Sequence, residues 1–261
     1  MNDPLLHHPS LYALTVGIAK YRDHSFKLEY AAADAKAMAQ ELRKRGQGLF
    51  KSIHIRPLFN QEATRDRIAR EMQELASMMQ PSDVFILYLA GHGQTLDGKY
   101  HFIPWELVYD NEDSIRTASL GHNQLLDLLS GVPALKSLII LDTCNSGAFA
   151  TARGRSLSDK TAIDKLMHAT GRTTLSASSD VQMALEGHMG HGVFTYVLLD
   201  GLRGKADQTE HHGDNNGEIS TDELAQYTRR HVPLITLKRW GYEQFPMRRI
   251  HGDPFSIGLA Q

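Results

Sequence analysis

Two positions in this sequence combine a reactive side chain with neighbouring glycines at the end of an apolar run. His92 lies in G-H-G, directly after the uninterrupted run 84–90, VFILYLA. Cys144 lies in D-T-C-N-S-G, directly after a second such run at 137–141, SLIIL. An imidazole and a thiol are the parts of nucleophilic catalysis in which a ring nitrogen takes the proton of the sulfur and the thiolate attacks an electrophilic carbon. Gly91 and Gly93 allow the backbone to turn sharply beside the histidine, and Gly147 does the same after the cysteine. The backbone amides of Gly93 and Cys144 are candidates to face a developing oxyanion. Cys144 is the only cysteine of the chain, which excludes an internal disulfide and any zinc site built on several thiolates. A lone cysteine is more often a small buried hydrophobe, and His92 is one of fourteen histidines. The joint pattern is far more specific than either half.

The surrounding elements must bring these two residues together. Continuous apolar runs of strand length suit strands covered on both faces of a parallel sheet. Residues 11–18 read as the first such strand, and 52–59 as a second whose Pro57 places it at an edge or bend. Helices are expected at 30–45, Ala-rich with a basic last turn, and at 64–79, where Ile68, Met72, Leu75 and Met79 form a core-facing stripe. Residues 97–105 read as a hairpin and 122–129 as a short helix. Residues 148–162 read as an exposed linker, followed by a strand at 173–177 and a helix at 192–203. A polar loop at 205–217 leads to a helix at about 221–231 and a last strand-like piece at 253–259. Strands alternating with helices predict an α/β fold with a mostly parallel sheet covered on both faces. In such sheets function gathers at the carboxyl ends of the strands. If the 84–90 and 137–141 strands are neighbours, His92 and Cys144 emerge on the same edge.

The chain has 261 residues, 41% hydrophobic and 22% charged, with a formal net charge of -2. These values fit a single globular domain and give no basic field for nucleic acid. The N-terminal residues lack the pattern of a secretory signal, and no apolar run reaches the length of a membrane span. The expectation is a cytoplasmic protein with no nucleic-acid or membrane partner.

The two motifs and their fifty-two-residue separation resemble those of caspases, metacaspases and bacterial caspase-like proteases (orthocaspases), in which the His precedes the Cys by about fifty residues. YALTVGIAKY resembles the first strand of that family, LEYAAADAKAMA its first helix, and SASSDVQMALEGHMGHGVFTYVLLDGL a later strand and helix of its bacterial members. The resemblance covers roughly residues 11–204 and the final strand. It implies a caspase-like three-layer sandwich and a cysteine endopeptidase with His92 and Cys144 as its catalytic dyad. Residues 1–147 would form a large-subunit-like part and 163–261 a small-subunit-like part of one domain. Animal caspases carry Gln two residues before the nucleophile. Asp142 stands there in this chain, as in metacaspases, and the resemblance places Asp34 in the same pocket. Two carboxylates favour a cation and repel an aspartate, so the implied substrates are proteins or peptides with Arg or Lys before the scissile bond. Asp180 is a further candidate for lining the cleft. No third residue is evident to orient His92.

The 148–162 linker contains Arg153, Arg155 and Lys160, and lies where related enzymes are cut during activation. Self-cleavage, an activating protease or a regulator are all compatible with it. Residues 212–223 place Asp214, Asn216, Gly217 and Glu223 at four positions of a calcium-binding loop. His212 at the first position breaks that pattern, and a turn followed by a Ser220–Glu223 capping box is the simpler reading. No cofactor is therefore expected, calcium being the one ion left open. His188, His191, His211 and His212 lack metal-ligand spacing and read as loop histidines. A monomer is expected, since metacaspases tend not to pair. Two alternatives stay open: a catalytically silent caspase-fold interaction module, and another Cys–His protease of the separase or gingipain kind.

Overall fold

In the computed structural model, residues 8–145, 160–177 and 186–260 are described. The chain opens with strand β1 (Leu11–Gly17), every residue of which is buried. Helix α1 (Ala31–Gly46) follows, rich in alanine, with Asp34 in its first turn and Arg43, Lys44 and Arg45 in its last, where each charge complements the helix dipole. Next come strand β2 (Ile53–Phe59) and helix α2 (Arg65–Met78), whose start is capped by the Thr64 hydroxyl accepting the Arg67 amide.

Strand β3 spans Val84–Leu96 and turns back into β4 (Lys99–Phe102). The turn is Asp97–Gly98, both with positive φ, the geometry of a tight hairpin. Helix α3 (Glu112–Ala118), the two-residue strand β5 (Leu120–Gly121) and helix α4 (His122–Ser130) lead to strand β6 (Lys136–Asn145). Helix α5 (Lys160–Ala169), strand β7 (Thr173–Ser176), the short pair β8 (Glu186–His188) and β9 (His191–Gly192), and helix α6 (Val193–Leu202) follow. Strand β10 (Glu218–Ser220), helix α7 (Thr221–Trp240), β11 (Met247–Arg249) and β12 (Ser256–Leu259) complete the chain.

The main sheet runs in the order β11-β7-β6-β3-β1-β2. From β7 to β2 every pairing is parallel; β11 adds an antiparallel edge. Side chains alternate between two buried clusters, one on each face. Phe85, Leu87 and Leu89 of β3 meet Ile68 and Met72 of α2, Leu125 of α4 and Ile163 and Leu166 of α5. Val84, Ile86 and Tyr88 meet Ala35 and Met38 of α1, Phe194 and Leu198 of α6 and Leu224 of α7. The result is helix, sheet, helix, as expected for a caspase-like sandwich.

Three features differ from the sequence expectation. Strands β3 and β6 do not stop before their motifs: G-H-G and D-T-C-N are themselves strand residues. Helix α5 begins at Lys160, inside the stretch read as a linker, and Ala162 is buried in it. Helix α7 continues through Pro233 to Trp240. The helix bond lost at Pro233 would have used the carbonyl of Arg229, an exposed residue, and burial of Val232, Pro233 and Thr236 outweighs it. Asp180 and residues 148–159 lie outside the described residues.

Candidate active site

Strands β3 and β6 are direct neighbours, and their register sets His92 opposite Cys144. The same ladder pairs Ala90 with Asp142 and Gly91 with Thr143. The two motifs are therefore joined, backbone to backbone, by the sheet itself.

His92 is 6% exposed. Its ring lies against Tyr21, at 5.2 Å between centroids, and edge-on to Phe26 at 5.8 Å. Its Nε2 is 2.9 Å from the carbonyl oxygen of Phe26. A carbonyl only accepts, so Nε2 carries the proton and Nδ1 is the basic nitrogen. Nδ1 is buried and has no hydrogen-bond partner among the described residues. Burial lowers the His92 pKa to about 4, against the smaller raising effect of the Phe26 carbonyl. The ring is therefore neutral near pH 7. The missing orienting group is thus main chain: Phe26 ends a short 3-10 turn, His24–Phe26, whose start is capped by Asp23 accepting the Ser25 amide. Sequence offers only a weak signal for it, the Asp-x-Ser of that turn.

The backbone around His92 depends on close approach. Its N–H donates to the Tyr21 hydroxyl at 2.7 Å. Gly91 has φ of 152°, and a Cβ there would lie 2.6 Å from that same hydroxyl. A Cβ on Gly93 would lie 2.8 Å from the Tyr100 ring and 3.0 Å from Thr143 Oγ1. The two glycines thus serve packing and backbone shape within a strand and do not end it, as the sequence reading had it.

Asp142 and Asp34 both lie near Tyr88, on the face covered by α1 and α6. The Tyr88 hydroxyl donates to Asp142 Oδ2 at 3.2 Å and also meets the Thr195 hydroxyl, which donates to the same carboxylate oxygen. Burial first, then the Asp142 and Asp34 charges, push the Tyr88 pKa well up. Asp34 is not open to solvent. Its Oδ1 is 2.5 Å from His191 Nδ1, and its Oδ2 accepts the Gly192 amide at 3.1 Å. Burial raises the Asp34 pKa, opposed by those hydrogen bonds. His191, read from sequence as a loop residue, is therefore a strand residue clamped to α1.

The 212–223 stretch forms the turn and capping box. Ser220 Oγ accepts the Glu223 amide, and Glu223 Oε2 accepts the Ser220 amide and hydroxyl. Asp207 accepts the amides of Asn216 and Gly217. Carboxylate oxygens of Asp207, Asp214 and Glu223 come within 4.8 Å of one another.

A family model for the caspase domain matches residues 10–250. No curated protein sequence matches the chain. Among solved structures, protein GSU0716 from Geobacter sulfurreducens is 18% identical, with a TM-score of 0.62 and 95% of each chain covered. The Drosophila initiator caspase Dronc is 15% identical, with a TM-score of 0.59, covering 95% of this chain and 81% of Dronc. At such identities the two structures speak for the fold alone. No helix among the described residues is long and apolar enough to cross a membrane.

Proposed function

The chain belongs to the caspase-domain family, and on that premise we propose that it is a cysteine endopeptidase cleaving after Arg or Lys through His92 and Cys144. The observation that carries this reading is the cross-strand register of His92 and Cys144, with Nδ1 of His92 left as the basic nitrogen. Nδ1 takes the Cys144 thiol proton, and the thiolate attacks the peptide carbonyl carbon. The amides of Gly93 and Cys144 hold the oxyanion. As the C–N bond breaks, the imidazolium returns the proton to the leaving amine, and a thioester remains. Water, deprotonated by the same nitrogen, hydrolyses it and frees the thiolate.

The basic-residue preference rests on Asp142 and Asp34 sharing one neighbourhood around Tyr88, together with the metacaspase resemblance of D-T-C-N-S-G. Asp180, outside the described residues, stays a further candidate for lining the cleft. The enzyme acts as a cytoplasmic monomer on protein or peptide substrates, without a resident cofactor. Each carboxylate of the Asp207–Asp214–Glu223 group accepts hydrogen bonds from its own loop, which supports the turn and capping box over a calcium loop and leaves calcium as an arm of the test.

The test is hydrolysis of matched fluorogenic peptides ending in Arg, Lys or Asp, with calcium and with a chelator, using Cys144→Ala as blank. Turnover after Arg and Lys, equal under both conditions and absent in the variant, is expected. Turnover only after Asp overturns the assignment of Asp142 and Asp34. Absence of all turnover, also after cleavage within 148–159 by an added protease, favours a silent interaction module.

A further inference from the structure

We propose that His191 is a specificity-determining residue, acting through Asp34: its imidazole, held against the buried carboxylate, sets the net charge that the pocket offers to a basic substrate side chain. The inference rests on the basic-residue reading above.

The geometry is that of an ion pair at the rim of a buried group. The Asp34 side chain is 3% exposed and the His191 side chain 22%, with 2.5 Å between Oδ1 and Nδ1. The second oxygen is held by the Gly192 amide, the next residue of β9. One two-residue strand therefore supplies both partners of Asp34, and His191 is the partner that reaches solvent. Tyr88 of β3 lies under the Asp34 charge, with Asp142 of β6 beyond it, and His188 of β8 stands opposite His191 across the β8–β9 pair, its ring edge-on to Tyr196. Tyr88 stays neutral across the working range because its pKa is raised.

Two consequences follow. A neutral His191 donates Nδ1–H to Asp34 and leaves the full carboxylate charge beside Asp142. A protonated His191 cancels that charge, so the pocket attracts a guanidinium or ammonium less. Asp34 is desolvated, so removing the His191 donor also favours its neutral form. The histidine thus supports the carboxylate when neutral and masks it when charged.

The experiment compares a peptide with Arg before the scissile bond with the same peptide carrying citrulline, a neutral isostere, across pH 5 to 8. In the wild-type protein, the preference for Arg, expressed as the ratio of KM values, is expected to rise roughly tenfold with pH through one ionisation. That ionisation should coincide with the His191 titration followed by NMR. His191→Asn keeps a donor near Nδ1 and cannot be charged, and it should hold the ratio flat and high at all pH. A His191→Asn protein with the wild-type pH profile overturns the proposal. So does an NMR titration of His191 more than about one unit from the kinetic one, a comparison that needs no variant. A wild-type enzyme that ignores the difference between Arg and citrulline instead overturns the basic-residue reading itself.

Discussion

An imidazole packed against Tyr21 and Phe26 loses more hydration when charged than when neutral, and this decides how His92 behaves with pH. Its folded pKa, about 4, lies below the ordinary value near 6.5. Between these values the unfolded chain binds a proton that the folded chain refuses. The stability tied to His92 is therefore complete above pH 6.5 and is lost as pH falls toward 4, by up to about 3 kcal/mol. His101, His122, His188 and His231 are also lowered, burial being the first cause of each, and add slopes of the same sign. The contribution of His92 is isolated by urea unfolding of wild-type and His92→Gln proteins across that window: the variant should show a shallower loss, and parallel curves would contradict the burial argument. At the same scale, Gly91→Ala brings a Cβ into the Tyr21 hydroxyl at a φ that alanine rarely adopts. It should lower kcat at least tenfold while far-UV circular dichroism stays unchanged; full activity would show that the Tyr21–His92 contact is dispensable.

At the scale of elements, Arg172 ties two segments together. The residue precedes β7, and its guanidinium donates to the carbonyls of Leu129, Val132 and Ala134 and to the Ser137 hydroxyl. These are the end of α4, the loop after it and the start of β6. Burial lowers the Arg172 pKa, yet every bond it makes is to a neutral acceptor. Arg172→Ala would remove four hydrogen bonds, leaving the Leu129 carbonyl with the Val132 amide, the Ala134 carbonyl with the Ser137 hydroxyl and the Val132 carbonyl without the guanidinium, at a cost of roughly 2–4 kcal/mol, far from His92. A chemical-denaturation midpoint shifted by that amount, with kcat/KM at 25 °C intact, is expected; an unchanged midpoint would mean that water replaces the guanidinium without cost. A smaller effect belongs to the start of α7. Ser220→Ala removes one half of a reciprocal cap and should cost about 1 kcal/mol, measurable in the same denaturation experiment.

For the whole molecule, the sheet runs through both halves of the chain. Strand β6, before the 146–159 stretch, pairs directly with β7 after it, Leu138–Leu141 against Thr173–Ser176. Helix α5 enters one apolar cluster and α6 and α7 the other. A chain cut after Arg153 or Arg155 should therefore remain one particle: two fragments on a denaturing gel, one peak of unchanged elution volume on gel filtration. Separation of the fragments would show that the shared sheet does not hold them. Intact mass of active enzyme, with Cys144→Ala beside it, tells whether the protein makes that cut itself. The same layering explains what sequence could reveal. The apolar runs within β1, β3 and β6 stand out because burial on both faces leaves few polar interruptions, and His92 and Cys144 stand out because they follow two of these runs. Helix α5 was hidden because its apolar residues, Ala162, Ile163, Leu166 and Met167, follow a long polar and basic stretch. Helix α7 looked finished before Pro233 because local propensity carries no record of what buries Val232 and Thr236. The contacts of Asp34 with His191 and of His92 with Phe26 join residues 157 and 66 positions apart, and only the folded chain brings them together.

The group that orients His92 is the oxygen of a peptide bond, which every residue type possesses. No substitution at Phe26 deletes it; a smaller side chain would loosen the ring beside the imidazole and leave the acceptor in place. Alanine scanning is consequently blind to this member of the site, and a library selected for loss of activity would return His92, Cys144 and the glycines without it. Genetic change can reach the carbonyl only by displacing the turn, for example through Asp23, whose carboxylate holds Ser25 at one end and the Tyr109 amide at the other. Direct weakening takes chemistry in place of mutation: an ester replacing the amide between residues 26 and 27 makes that oxygen a poorer acceptor while both side chains stay as they are, and removes in addition only the long Lys27 N–H bond to the His24 carbonyl, 3.4 Å.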